Sequence, residues 1–219
     1  MNLDFTAIVP SMPYILKGIG VTLKIVLVAG LLGFAFGIVL AIFKISRSRA
    51  LNWFADIYTS VFRGTPLILQ VMIIYYGSPQ ILGFQIDAYT AAVVSFSLNS
   101  AAYISEIIRA GILAVDKGQR EAAMALGVPG TRMMRDIILP QAMKNILPAL
   151  MIEFITLTKE SAIVTVIAVD DIMRRSYIVG GEQYRFFEPM IFAGLIYYLM
   201  VISLTVIGKA IERRMRQSD

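Results

Sequence analysis

The residues with the most chemistry to offer are carboxylates set inside an apolar tract. Glu153, Thr156 and Glu160 recur at intervals of three and four between Leu147 and Ala168, so they share one helical face, with Lys159 on the neighbouring face. Ser95, Asn99 and Glu106 form a second stripe in an i, i+4, i+11 pattern, with Tyr103 beside it and Arg109 three residues beyond Glu106, within ion-pair reach. Ionisable groups at membrane depth cost about 2.5–3.5 kcal/mol each on insertion scales, so they should face the protein interior. Two readings stand side by side. In one, these groups are polar contacts between helices, each worth about 0.6 kcal/mol; Ser95 and the Glu106–Arg109 pair fit this reading. In the other, Asn99, Glu153, Thr156 and Glu160 line a binding site. The chain has no His and no Cys, which excludes a His-based hydrolytic triad, thiol nucleophiles and Cys-ligated metals. No catalytic set and no metal site is expected.

The elements that must position these groups are membrane spans. Of 219 residues, 58% are hydrophobic and 16% charged, with mean hydropathy +0.73, against roughly 45–50% and about 25% in soluble domains. Apolar runs predict an all-α, polytopic membrane protein with five transmembrane helices near 18–43, 56–78, 88–109, 146–168 and 189–209, in one domain covering 1–219. In the second span Arg63 interrupts the run, so Trp53 to Phe62 reads either as the first turns of a long tilted helix or as an interfacial segment. The Arg63-Gly64-Thr65-Pro66 stretch predicts a kink there. Gly30, Gly33 and Gly37 share one face of the first span and predict close helix packing.

Charge sets the expected orientation. Three cations follow the first span, six the third and four the fifth, thirteen in all, against Lys17, Arg174, Arg175 and Arg185 on the alternate side. This places the N-terminus outside and the C-terminus in the cytoplasm. The net charge of +5 and pI of about 9.5 then belong to cytoplasmic loops, with no nucleic-acid partner expected. The first residues carry no cation and do not read as a cleaved signal peptide. The outer stretch from Asp170 to Glu188 mixes both signs and is the expected docking surface for an external protein.

The cytoplasmic loop over about 112–144 predicts two short helices joined by a bend. Glu121 to Ala125 are good helix formers stopped at Gly127; Val128-Pro129-Gly130 break the chain; Thr131 can cap a second helix that ends at Pro140. Such a knob is either an interfacial loop or a docking element. No GxxxxGK[ST] phosphate loop occurs, so the chain cannot hydrolyse ATP by that route.

The spacing Glu121-Ala122-Ala123, three residues, Gly127, nine residues, Ile137, one residue, Leu139-Pro140 resembles the EAA signature of ABC importer permeases. Phe62 to Leu67, Tyr103 to Gly111, and Phe154 through Ser161 resemble the polar amino acid subfamily, and the likeness runs from about Gly18 to about Arg213. The resemblance implies a type I ABC importer permease-like fold in the bacterial plasma or inner membrane. It implies a second permease subunit, identical or a paralogue, two ABC ATPase subunits, and an extracytoplasmic amino acid binding protein. Glu121, Ala122, Ala123, Gly127 and Pro140 would couple to the ATPases; ATP and magnesium would sit there, leaving this chain without a cofactor and not an enzyme.

A zwitterionic amino acid needs a carboxylate for its ammonium group and donors for its own carboxylate, and a second carboxylate suits a cationic side chain. The two acids on the fourth span therefore lean toward basic amino acids such as arginine, lysine or histidine. Import of glutamine- or glutamate-type amino acids is the alternative. From other classes, an intramembrane carboxylate enzyme is opposed by the missing His and Cys, and a passive channel needs no cytoplasmic knob.

Overall fold

The computed structural model describes residues 4–216, and all regular structure among them is helical. A 3-10 turn (Phe5–Ser11), α1 (Met12–Leu16) and α2 (Gly18–Ile45) make one apolar tract of 41 residues. At about 1.5 Å per residue α2 is ~42 Å long, enough to cross a ~30 Å hydrocarbon core at a tilt. It is followed by α3 (Arg49–Gly64), α4 (Leu67–Leu82), α5 (Ala88–Leu113), α6 (Lys117–Ala125) and α7 (Gly130–Arg132). A π-helical stretch (Met133–Ile138) leads into α8 (Leu139–Glu160), a 3-10 stretch (Ser161–Ile167), α9 (Ile172–Gln183) and α10 (Phe187–Arg216). Among the described residues, the tract ending in α2, α5 and α10 are long and apolar enough to span on their own. The pair α3 and α4 qualifies only together, and bends by 101° between its halves. Of the two readings of Trp53 to Phe62, the straight tilted helix is therefore lost: these residues form a separate amphipathic helix. α8, which carries Lys144, Glu153, Lys159 and Glu160, falls outside the apolar group.

The centre of the molecule is α2 packed on α5. Between helices in lipid there is no hydrophobic drive, so close approach of small residues supplies the attraction. A Cβ built on Gly33 would lie 2.9 Å from the Ser100 Cβ, and one on Gly37 would lie 2.7 Å from the Ile104 Cγ2. Gly30 faces Phe154 of α8 at 3.3 Å. The three glycines thus let α2 lie against α5 and α8, as their spacing predicts. Above them Ile25, Val26 and Ala29 pack with Ala91, Ala92 and Phe96, all fully buried. A second apolar cluster of Ile112, Val115, Ile138, Ala142 and Ile146 fixes α5 to the start of α8. A third, of Ile15, Ile172, Val179, Ala193 and Ile196, joins α1, α9 and α10.

Three sequence expectations are corrected here. The helix expected over 146–168 begins at Leu139 and stops as an α-helix at Glu160; a 3-10 stretch completes it and ends at Ala168 in the left-handed region (φ 60°). The second short helix expected over about 112–144 does not end at Pro140. The Leu139 N–H donates to Met134 five residues back, a π register, so the backbone has already widened where proline has no N–H to give. Pro140 then occupies the first turn of α8, where a missing N–H is tolerated. Thr131 caps nothing: Pro129 holds the N-cap position of α7.

Candidate functional site

The carboxylates of α8 do share one face. Glu153 accepts a hydrogen bond from the Ser100 hydroxyl on α5 at 3.2 Å. It borders a cavity of about 230 Å³ between α2, α5 and α8, whose other walls include Gly30, Phe34, Ile104 and Leu150. Glu153 and Ser100 are the polar side chains on that otherwise apolar wall. Thr156 and Glu160 lie half-buried one and two turns on, and Lys159 is exposed. Thr158, on the opposite side of α8, is buried and donates back to the Phe154 carbonyl.

Asn99 is placed elsewhere. It is adjacent to Ser100 in sequence, but one residue on a helix turns about 100°, and its side chain faces the break between α3 and α4. The cause is Pro66. Having no N–H, it leaves the Phe62 carbonyl four residues back without its helical donor. Two side-chain amides take that role: Asn99 Nδ2 at 3.1 Å and Gln70 Nε2 at 2.9 Å. Asn99 also donates to Gln70 Oε1 (3.1 Å), and Gln70 donates to the Thr65 carbonyl and hydroxyl. The 101° bend is thereby held by a closed set of amides, and among the described residues the hydrogen bonds of Asn99 go to Phe62 and Gln70, not to Glu153, Thr156 or Glu160. Arg63, at the same bend, stacks on the Tyr103 ring with its guanidinium carbon 5.2 Å from the centroid. Ser95 donates to the Ala91 carbonyl of its own helix, in place of the contact between helices expected of it. Sequence reasoning missed Gln70, although the Pro66 position identifies which carbonyl must find a donor.

The expected Glu106–Arg109 pair forms, with Arg109 Nη2 2.7 Å and Nε 3.0 Å from Glu106 Oε2. It belongs to a larger cluster that the sequence did not disclose. Lys44, counted with the loop cations, has a side chain only 3% exposed and sits between Asp56 Oδ1 (2.6 Å) and Glu106 Oε1 (2.7 Å). One cation so links the ends of α2, α3 and α5. Its place in the last turn of α2 also suits the helix dipole.

The segment between α5 and α8 is built as a compact knob. Asp116 caps α6 by accepting the Gly118 N–H at 2.7 Å. At the far end Val128 N–H reaches the Ala123 carbonyl and Gly127 N–H the Met124 carbonyl, the paired bonds of a Schellman stop. Gly127 has φ +70°, which explains its residue type, and open space surrounds it. Ala123 is buried and anchors the helix inward, while Glu121, Ala122, Gly127 and Pro140 are exposed. Met124 and Leu126, 60% and 82% exposed, flank them as apolar side chains on the surface of the knob. Because nothing crowds Gly127, Gly127→Asp is expected to fold and insert while straining the turn by about 1–2 kcal/mol and adding a charge disfavoured at a helix C-terminus. Co-purification with the ATPase should fall at least tenfold; unchanged co-purification and transport would remove the knob from coupling.

On the opposite side Asp171 caps α9. Its carboxylate accepts from the Arg174 N–H (2.8 Å), the Tyr197 hydroxyl (2.8 Å) and the Thr165 hydroxyl (3.2 Å). Burial pushes its carboxyl above the usual range in spite of these donors. Part of the outer stretch from Asp170 to Glu188 is therefore internal: Asp171 and Glu188 are buried. Its exposed tip is Tyr184, at φ 53° and 92% exposed.

Comparison with known proteins gives a consistent result. Residues 33–217 match the family model described as binding-protein-dependent transport system inner membrane component. The chain is 63% identical to the arginine transport system permease protein ArtQ of Bacillus subtilis (strain 168), over the full length of both. It is 50% identical, over 94% of each chain, to GlnP of Rickettsia felis, a permease provisionally named for glutamine transport. Among solved structures, a crystal structure of an amino acid ABC transporter with histidines superposes with a TM-score of 0.93 at 44% identity, covering 98% of this chain and 100% of that one. The inward-facing MetNI methionine ABC transporter, at 23% identity and a TM-score of 0.81 over 94% and 98% of the two chains, shares the fold.

Proposed function

This chain belongs to the family of binding-protein-dependent transport system inner membrane components and is the permease subunit of an amino acid ABC importer; from that premise we propose that its substrates are basic amino acids, arginine first. The observation that carries this reading is the pair of acids on one face of α8. Glu153 borders an otherwise apolar cavity, and Glu160 lies two turns on. Two carboxylates match a substrate with two cationic groups, whereas a neutral amide side chain needs only one. The 63% identity to an arginine permease supports the same reading. The glutamine-named relative at 50% identity favours the second reading, a neutral amide substrate.

The working unit is a pair of permease chains, identical or paralogous, with five spans in each. α3 and α4 together count as one of these spans, and α8 with its 3-10 extension as another. Two ATPases carrying ATP and magnesium engage the knob at Glu121, Ala122, Ala123, Gly127 and Pro140, and the binding protein docks on the face bearing α9. The N-terminus is outside and the C-terminus cytoplasmic, following the cation excess. Transport proceeds by alternating access, driven when ATPase closure moves the knob. The rigid cluster from Ile112 to Ile146 carries that movement into α5 and α8.

Thr156 lies between the two acids and offers a hydroxyl to the substrate. For Asn99 Nδ2 to reach a substrate it must leave the Phe62 carbonyl, with Gln70 as the remaining side-chain donor there. Substrate contact at Asn99 would therefore loosen the α3–α4 bend and link occupancy to helix movement. The test is transport by Glu153→Gln and Glu160→Gln in the reconstituted complex. Each is expected to lower arginine uptake at least tenfold while ATPase co-purification persists. Unchanged kinetics in both would overturn the assignment of these acids.

A further inference from the structure

The corner at the end of α2 presents a second surface, separate from the acids of α8. Where α2 turns into α3, Ser46, Arg47, Arg49, Asn52, Trp53 and Asp56 enclose a hollow of about 290 Å³. Arg47 and Arg49 are exposed, and neither pairs with a carboxylate among the described residues. The one acid in the hollow, Asp56, is engaged by Lys44 at 2.6 Å. The charge presented outward is therefore positive. Immediately along α3, Trp53, Phe54, Ile57 and Val61 are 69%, 52%, 43% and 52% exposed, forming an apolar stripe that starts at the two cations. The inner face of the same helix, Ala55 and Thr59, is buried against α2 and α5, so α3 is held with this stripe outward.

A pair of free cations at the head of an apolar stripe, on a helix beside a membrane span, is complementary to an amphiphile with an anionic head. An acidic protein segment would match the cations but leave the stripe uncovered. A soluble anion would do the same. We infer that the corner between α2 and α3 binds an anionic phospholipid, its phosphate between Arg47 and Arg49 and its acyl chains along Trp53, Phe54 and Ile57. The inference rests on membrane location alone and is independent of the transported substrate.

Trp53 is the only tryptophan in the chain, so it reports on its own site. The full-length permease is placed in phosphatidylcholine nanodiscs containing a few per cent of dibrominated phosphatidylglycerol or dibrominated phosphatidylcholine, and quenching of Trp53 is measured. Each juxtamembrane cation contributes about 1 kcal/mol toward an anionic lipid, or roughly fivefold. Quenching by the brominated phosphatidylglycerol should therefore reach half-saturation at a mole fraction at least about fivefold lower than by the phosphatidylcholine. The preference should shrink with added salt, disappear in Arg47→Gln/Arg49→Gln, and resist millimolar inorganic phosphate. Both arginines are exposed, so the double variant is expected to keep its helical circular dichroism, and a monodisperse peak in detergent checks its fold independently. Equal quenching by the two lipids, or a preference that survives the double substitution, would overturn the proposal. Loss of the preference on adding inorganic phosphate would assign the corner to a free anion and overturn it as well.

Discussion

Replacing Gly37 by leucine is expected to remove folded permease from the membrane. The reason is geometric. A bare Cβ at Gly37 already falls 2.7 Å from Ile104 Cγ2 and 3.2 Å from the Ala101 carbonyl, and leucine adds three more carbons in that direction. Overpacking a well-filled interior costs typically 1–3 kcal/mol when side chains can shift. Here the side chain meets Ile104, which is itself nearly buried, and a backbone carbonyl, which cannot rotate away. The helices must separate, and van der Waals contact at this seam is what holds α2 to α5. Gly20→Leu is the control, since it lies on the same helix with nothing within 4 Å of its Cβ. Membrane accumulation and a monodisperse peak in detergent should be lost for Gly37→Leu and kept for Gly20→Leu. Normal accumulation of the Gly37 variant would mean the α2–α5 seam is not the structural centre.

The second large effect is expected at Lys44. Lys44→Met removes the cation that Asp56 and Glu106 share, leaving no positive charge to join α2, α3 and α5. Removing one member of a buried ion pair costs about 3–5 kcal/mol because a charge is left uncompensated. Arg109 still holds one oxygen of Glu106, so about 2–4 kcal/mol is the expected loss. Glu106→Gln in the same chain should recover part of it, since the uncompensated charge is then gone. Thermal unfolding of the two single variants and the double variant in detergent measures the coupling. Strict additivity would show that Lys44 and Glu106 do not act as a pair.

Lys44 also shows where sequence reasoning reaches its end. Counting cations near span ends orients the chain, and it treats each one as solvated. Whether a particular lysine turns outward or is enclosed depends on where Asp56 and Glu106 arrive in space, one from α3 and one from α5, which no local pattern encodes. The glycines of α2 were different. Their period fixes one face, and in a membrane a face of small residues has one main use, so close helix packing followed directly; that the partner is α5 did not. Glu153 and Glu160 were placed on a common face for the same reason. Asn99 was drawn into their group because membrane depth alone does not give azimuth: one residue of rotation sends Ser100 to Glu153 and Asn99 to the bend.

At Pro66 the kink was legible, but the side chains that answer the freed carbonyl were not. A proline in or after a helix names the carbonyl it strands, here Phe62, and two amide side chains answer it. At Pro140 the continuation was not legible, because a π register restores the path of the helix and sequence spacing does not reveal a π turn. The helical knob was recoverable because its signals are short-range: a run of helix formers, and a glycine whose positive φ the Schellman stop requires.

The central claim is that this permease moves basic amino acids by ATP-driven import past the acids of α8. It is tested most directly by uptake in proteoliposomes containing the permease, its ATPase and its binding protein, with radiolabelled arginine and an excess of unlabelled competitor. The predicted result is ATP-dependent arginine accumulation, abolished by unlabelled arginine and reduced by lysine or histidine, with glutamine leaving it unchanged. Accumulation that glutamine abolishes and lysine does not touch, or arginine uptake that proceeds without ATP, would contradict it.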